Sequence, residues 1–86
     1  MKYYIISANK KQYAEILEHI TTIEKDISIL NSYDDYKDTD SFLKSLSKVS
    51  DADIVYIGDY SRTNLRCCLE RAYVTKEAKI IFYNKE

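Results

Sequence analysis

Four short apolar runs, separated by three stretches in which apolar residues recur every three or four positions, organise the chain. Tyr3-Tyr4-Ile5-Ile6-Ser7-Ala8 is aromatic and β-branched without alternation, the pattern of a strand buried on both faces. Asn9 then offers a helix cap, with Gln12 three residues on to reach back in a variant of the capping box. Tyr13, Ile16, Leu17 and Ile20 follow at helical spacing, so helix one is expected over about 10–24. Ile27-Ser28-Ile29-Leu30 reads as a second short strand, ended by the polar stretch 31–38, which lacks Gly and Pro and is expected to be a loop. Thr39 or Asp40 can cap helix two, whose apolar positions Phe42, Leu43, Leu46 and Val49 carry it to Ser50-Asp51. Asp53-Ile54-Val55-Tyr56-Ile57-Gly58 is the clearest strand, and its closing glycine, the only one in the chain, marks a turn. Leu65, Cys68, Leu69, Ala72 and Tyr73 define one face of a helix over about 63–77, and Lys79-Ile80-Ile81-Phe82-Tyr83 supplies the last strand.

The resulting order, β-α-β-α-β-α-β, implies parallel pairing with helices on both faces of one sheet. A small doubly wound domain spanning residues 1–86 is the economical solution. Its strands should lie near 3–7, 27–30, 53–58 and 79–83, in the spatial order 2-1-3-4 of flavodoxin-like and Rossmann-like sheets. Ligands bind such sheets outside the carboxyl ends of the strands where the strand order reverses, here between strands one and three. Ser7-Ala8-Asn9, residues 31–36 and Asp59-Tyr60-Ser61 would border that crevice.

Composition narrows the function classes. With 13 Lys+Arg against 14 Asp+Glu, the net charge of −1 gives no global attraction to nucleic acid or to an anionic membrane. The charge is uneven, however: residues 1–59 hold 11 acids and 7 bases, a net −4, and residues 60–86 hold 3 acids and 6 bases, a net +3. The apolar run after Met1 is too short for a secretory signal, and no stretch is suited to span a bilayer, so a cytosolic protein is expected. Cys67 and Cys68 are adjacent, unsuited to a bridge with each other, and form no zinc-site spacing, so no metal is expected. One glycine cannot make a dinucleotide fingerprint or a phosphate-binding P-loop, and no cofactor is expected. A parallel sheet this small has both faces to cover with three helices, which argues for self-association.

Individual residues carry two readings each. His19 falls inside helix one with neither a nucleophile nor a metal partner nearby, and reads as an exposed helical histidine. Asp59 and Tyr60 follow the best strand directly, where a short acid and an aromatic ring could hold a ribose hydroxyl and a base, or simply make a turn. Glu70 recurs at four-residue spacing with Arg62 and Arg66. Its carboxylate could point toward the strand ends or form a surface ion pair with Arg66. Tyr33, Tyr36, Asp34, Asp35 and Asp38 make an acidic, aromatic loop, either a lid or a surface for a basic partner protein. Cys67 and Cys68 read as packing residues, since neither has a histidine to activate it.

Over residues 51–83 the strand Asp51-Ala52-Asp53-Ile54-Val55-Tyr56-Ile57-Gly58, the polar loop after it, Leu69-Glu70-Arg71-Ala72-Tyr73 and Lys79-Ile80-Ile81-Phe82-Tyr83 resemble the nucleoside 2-deoxyribosyltransferase-like superfamily and its small phage and bacterial relatives. The resemblance covers the C-terminal 35 residues, and the first strand and helix in outline. It places Glu70 at the family's glutamate, which attacks the anomeric carbon of a nucleoside in a retaining N-glycosyl transfer. Together with the crevice at the strand ends, it makes Ser7, Asn9, Asp59, Tyr60 and Asn64 the expected substrate contacts, and a superfamily that builds its sites at subunit contacts adds to the expectation of an oligomer. The chain departs from the family pattern at Asn64, where Ser or Asp is usual, at Arg66, which replaces a loop glycine, at Glu77-Ala78 and at Ser7-Ala8-Asn9. Two functions are therefore expected in alternation. One is a nucleoside- or nucleotide-binding domain with N-glycosyl transfer or hydrolysis activity; the other is a non-enzymatic phage or mobile-element protein that binds and inhibits a host defence protein through the acidic aromatic loop.

Overall fold

The computed structural model describes residues 1–58 and 64–83. Four parallel strands form one sheet in the order β2-β1-β3-β4, as the strand–helix alternation implies. They are β1 (Lys2–Ile6), β2 (Ser28–Ile29), β3 (Ile54–Ile57) and β4 (Lys79–Phe82). The helices are α1 (Lys10–Ile23), α2 (Thr39–Val49) and α3 (Leu65–Ala72). The central pair β1 and β3 runs in register from Tyr3 opposite Ile54 to Ile6 opposite Ile57.

Side-chain alternation divides the core into two layers. Tyr3, Ile5 and Tyr56 point to one face, where Tyr13, Ile16 and Ile20 of α1 cover them. Tyr4, Ile6, Val55 and Ile57 point to the other, against Val49 of α2 and Cys67 of α3. Each fully buried Ile or Val contributes about 1.5–3 kcal/mol, so β1 and β3, enclosed on both faces, anchor the fold.

Caps refine the boundaries read from sequence. Asn9 Oδ1 accepts from the Gln12 amide at 2.7 Å and starts α1 as expected, but the Gln12 side chain does not reach back to the cap. Its Oε1 lies 3.2 Å from Ser7 Oγ, and its amide packs against Gly58. A Cβ on Gly58 would meet Gln12 Oε1 at 2.1 Å, so close approach of a neighbouring side chain explains the glycine. Asp38, one residue ahead of Thr39 and two ahead of Asp40, the expected caps, accepts from the Ser41 amide at 2.8 Å and starts α2. The expected loop 31–38 contains a 3-10 segment, Tyr33–Lys37, closed by a capping box between Ser32 and Asp35.

The last helix departs furthest from the sequence reading. It ends at Ala72, well before residue 77, with a turn through the β-branched Val74 and Thr75 returning the chain to β4. Its expected inward face is turned outward: Leu65 is 78% exposed, and Cys68, Leu69, Ala72 and Tyr73 are exposed as well. Cys67 and Glu70 are the residues buried. On that inward face Glu70 accepts from the buried Tyr4 hydroxyl, which Ser45 also contacts, so the buried polar groups satisfy one another. No helix among the described residues is long and apolar enough to cross a membrane.

Candidate functional site

Glu70 is fully buried, and two tyrosine hydroxyls hold it. Tyr4, from the middle of β1, donates to Oε2 at 2.5 Å. Tyr36, from the 3-10 segment, sits 2.8 and 2.9 Å from Oε1 and Oε2. Ser45 of α2 closes the group, with its Oγ 2.8 Å from the Tyr4 hydroxyl. Glu70 therefore lies inside the layer between sheet and helices, and the surface ion pair with Arg66 that periodicity suggested is not its arrangement. The Arg66 guanidinium lies instead over the Tyr36 ring, 3.8 Å from its centroid, and Arg66 Nε is buried with no hydrogen-bond partner among the described residues.

Burial pushes the Glu70 carboxyl up to about 7, while the Tyr4 and Tyr36 hydrogen bonds and the nearby Arg66 charge pull the other way. Burial and the adjacent carboxylate drive both Tyr4 and Tyr36 upward, so each remains a neutral donor. Burial likewise raises Cys67 to about 12, which leaves it a packing thiol.

The Tyr36 ring is a wall with two sides. Its hydroxyl holds Glu70, and beyond it opens a crevice of about 300 Å³ lined by Lys10, Tyr33, Asp34, Tyr36, Lys37 and Arg66. Three cations and one acid give this crevice a net positive lining. Tyr33 and Tyr36 meet edge to face at 5.0 Å and present flat aromatic surface to it. Lys10 in the first turn of α1 sets the crevice beside the carboxyl end of β1, at the reversal of strand order. A larger concavity, about 570 Å³, lies between α3 and β4 against Ile57, Ala72, Val74, Ile80 and Phe82; it holds no carboxylate, and we place the candidate chemistry in the smaller crevice.

Sequence candidates other than Glu70 fare differently. Ser7 is buried, its Oγ 2.9 Å from the Asn9 carbonyl oxygen, and Asn9 caps α1. Asn64 caps α3, accepting from the Cys67 amide at 3.2 Å. These three side chains hold the turns that shape the strand ends. Asp59 and Tyr60 lie outside the described residues. His19 is exposed, packed edgewise on Tyr56 at 5.9 Å and near Tyr83 at 5.8 Å. Tyr4, Ser45, Lys10 and Lys37 join the site without having been singled out. Only the three-residue step from Tyr33 to Tyr36, which puts both rings on one side of a 3-10 turn, was a local signal for it. Among the described residues, no cluster of His, Cys, Asp and Glu could hold a metal. No protein-family model, curated protein or solved structure matches this chain.

Proposed function

We propose that the chain is a small nucleotide-binding domain, its ligand seated in the Tyr33–Tyr36 crevice, with Glu70 behind Tyr36 as the nucleophile of an N-glycosyl transfer or hydrolysis. One observation carries this reading: a buried carboxyl, held by two tyrosine hydroxyls, adjoins a cationic, tyrosine-lined crevice at the switch point of a parallel sheet. Flat rings suit a base, Lys10, Lys37 and Arg66 suit a phosphate, and the volume falls at the lower end of the roughly 300–1,000 Å³ common for ligand clefts.

Chemistry at Glu70 requires Tyr36 to swing away, which frees one carboxylate oxygen while Tyr4 still holds the other. In the retaining mechanism that oxygen attacks the anomeric carbon as the C–N bond breaks, and the bonding pair leaves with the base, which takes up a proton from water. Water or a second base then attacks the same carbon and returns the carboxylate. The raised affinity of Glu70 for a proton means that the nucleophilic, ionised form grows as pH rises through about 7.

Thermal shift with nucleosides and nucleoside monophosphates, paired with chromatographic detection of free base, tests the reading. Monophosphates should raise Tm more than nucleosides do, and the difference should shrink with added salt. Glu70→Gln should keep the shift and lose base release. No shift with any of these ligands would overturn the reading. A second reading, the partner-binding inhibitor, is favoured by the complete burial of Glu70 and by the exposure of Asp34 and Asp38 on the acidic loop. Against it, Tyr33 and Tyr36 of that loop turn inward, away from a partner.

A further inference from the structure

β4 is an edge strand, and among the described residues none pairs with its outer side. The amides of Lys79 and Tyr83 donate inward to the carbonyls of Asp53, just before β3, and of Ile57 at its end, so the alternate residues Ile80 and Phe82 direct their N–H and C=O groups away from the sheet. The Ile80 and Phe82 side chains project on the α3 side, where they are 46% and 61% exposed beside the α3–β4 concavity. The strand has neither proline nor bulge, and its one charge, Lys79, stands at its start, so the strand itself carries none of the usual devices that block edge pairing.

We propose that β4 pairs antiparallel with β4 of a second copy about a two-fold axis through Ile81, joining the two sheets into one of eight strands. The register follows from which groups face outward. With Ile81 opposite Ile81, each Ile80 stands opposite Phe82 of the other copy, and those two residues, both directed outward, exchange N–H···O bonds as an antiparallel hydrogen-bonded pair. The same pairing sets Ile80 and Phe82 side chains against each other on the α3 face, covering apolar surface that one copy leaves bare. Lys79 falls opposite Tyr83, and the two Lys79 ammonium groups end up at opposite ends of the ladder. A foreign strand could meet the bare backbone, but Lys79–Tyr83 is complementary to itself: each exposed apolar side chain, Ile80 and Phe82, meets its counterpart in the other copy, and the two lysine charges stay apart.

Light scattering across micromolar concentrations, joined to a cross-linking arm, tests the proposal. The native chain should weigh as two copies. Ile80→Pro removes an amide that faces outward and leaves the bonds to β3 intact; Phe82→Lys places a charge on the partner's Ile80. Both should weigh as one copy with unchanged far-ultraviolet circular dichroism. In a Cys68→Ser background, Ile81→Cys should oxidise to a disulfide-linked dimer, and Lys79→Cys should not, because only residue 81 meets itself on the axis. A native chain that stays single throughout the range overturns the proposal, as does a dimer that survives both edge variants or fails to cross-link through Cys at 81. Should either edge variant fail to fold, the cross-linking arm still decides the register.

Discussion

Glu70 makes the protein's stability depend on pH in a direction opposite to that of most carboxylates. Its folded-state pKa, about 7, stands above the usual carboxylate value of 4.5, so between these limits the folded chain binds more protons than the unfolded one. Stability therefore falls as pH rises from about 4.5 to 7, by on the order of 3 kcal/mol from this group, and levels off above. Glu70→Gln keeps the volume and most hydrogen bonding without the charge. It should remove this slope, leaving the variant at least as stable as the native chain at pH 8 in urea unfolding; a native chain no less stable at pH 8 than at pH 5 would refute the assignment. None of this was legible locally. Periodicity along α3 places Glu70 on a polar flank, and its partners Tyr4 and Tyr36 lie 66 and 34 residues away in sequence, so nothing short of the folded sheet reveals the cluster.

Element by element, strands were easier to read than helices. β1 and β3 carry unbroken apolar runs because both faces are covered, and a run of that kind admits few other interpretations. α3 misled because its apolar stripe is real but faces outward, while Cys67 and Glu70 face inward. At the carboxyl ends of β1 and β3 the packing is tight and specific, since Gln12 fills the space above Gly58 and touches Ser7. Gly58→Ala should push Gln12 aside and cost about 1–2 kcal/mol. Adding Gln12→Ala to that variant should recover part of the loss, a coupling that a double-mutant cycle reads directly. If the two costs simply add, the contact is not what constrains residue 58.

Across the whole molecule, the sheet has a firm centre and soft edges. β1 and β3 each pair on both sides, β2 contributes two residues, and β4 is enclosed on one edge alone. Asn31 compensates at the β2 side: its amide group accepts from the Ile5 N–H at 3.0 Å and donates to the Ile5 carbonyl at 2.8 Å, imitating a further residue of strand, while its own carbonyl takes the Tyr13 hydroxyl. Amide exchange should rank accordingly, slowest at Tyr4–Ile6 and Val55–Ile57 and fastest through α3. Equal protection in α3 and β1 would contradict this picture. Strand order was readable because alternation of strand and helix leaves few topologies, whereas the Asn31 bridge, a polar side chain acting as backbone, has no sequence pattern of its own.

The contact between Tyr36 and Glu70 also has an optical meaning. The chain has nine tyrosines and no tryptophan, so its ultraviolet emission is tyrosine emission, with no indole to drain the excitation. A phenol becomes a much stronger acid when excited, and a carboxylate already bonded to its hydroxyl takes the proton and darkens the ring. Tyr4 and Tyr36 share such an acceptor, so the molecule is dimmest when the tyrosine wall is shut. Any motion that lifts Tyr36 off Glu70 brightens it, and the opening can be timed in the unlabelled chain.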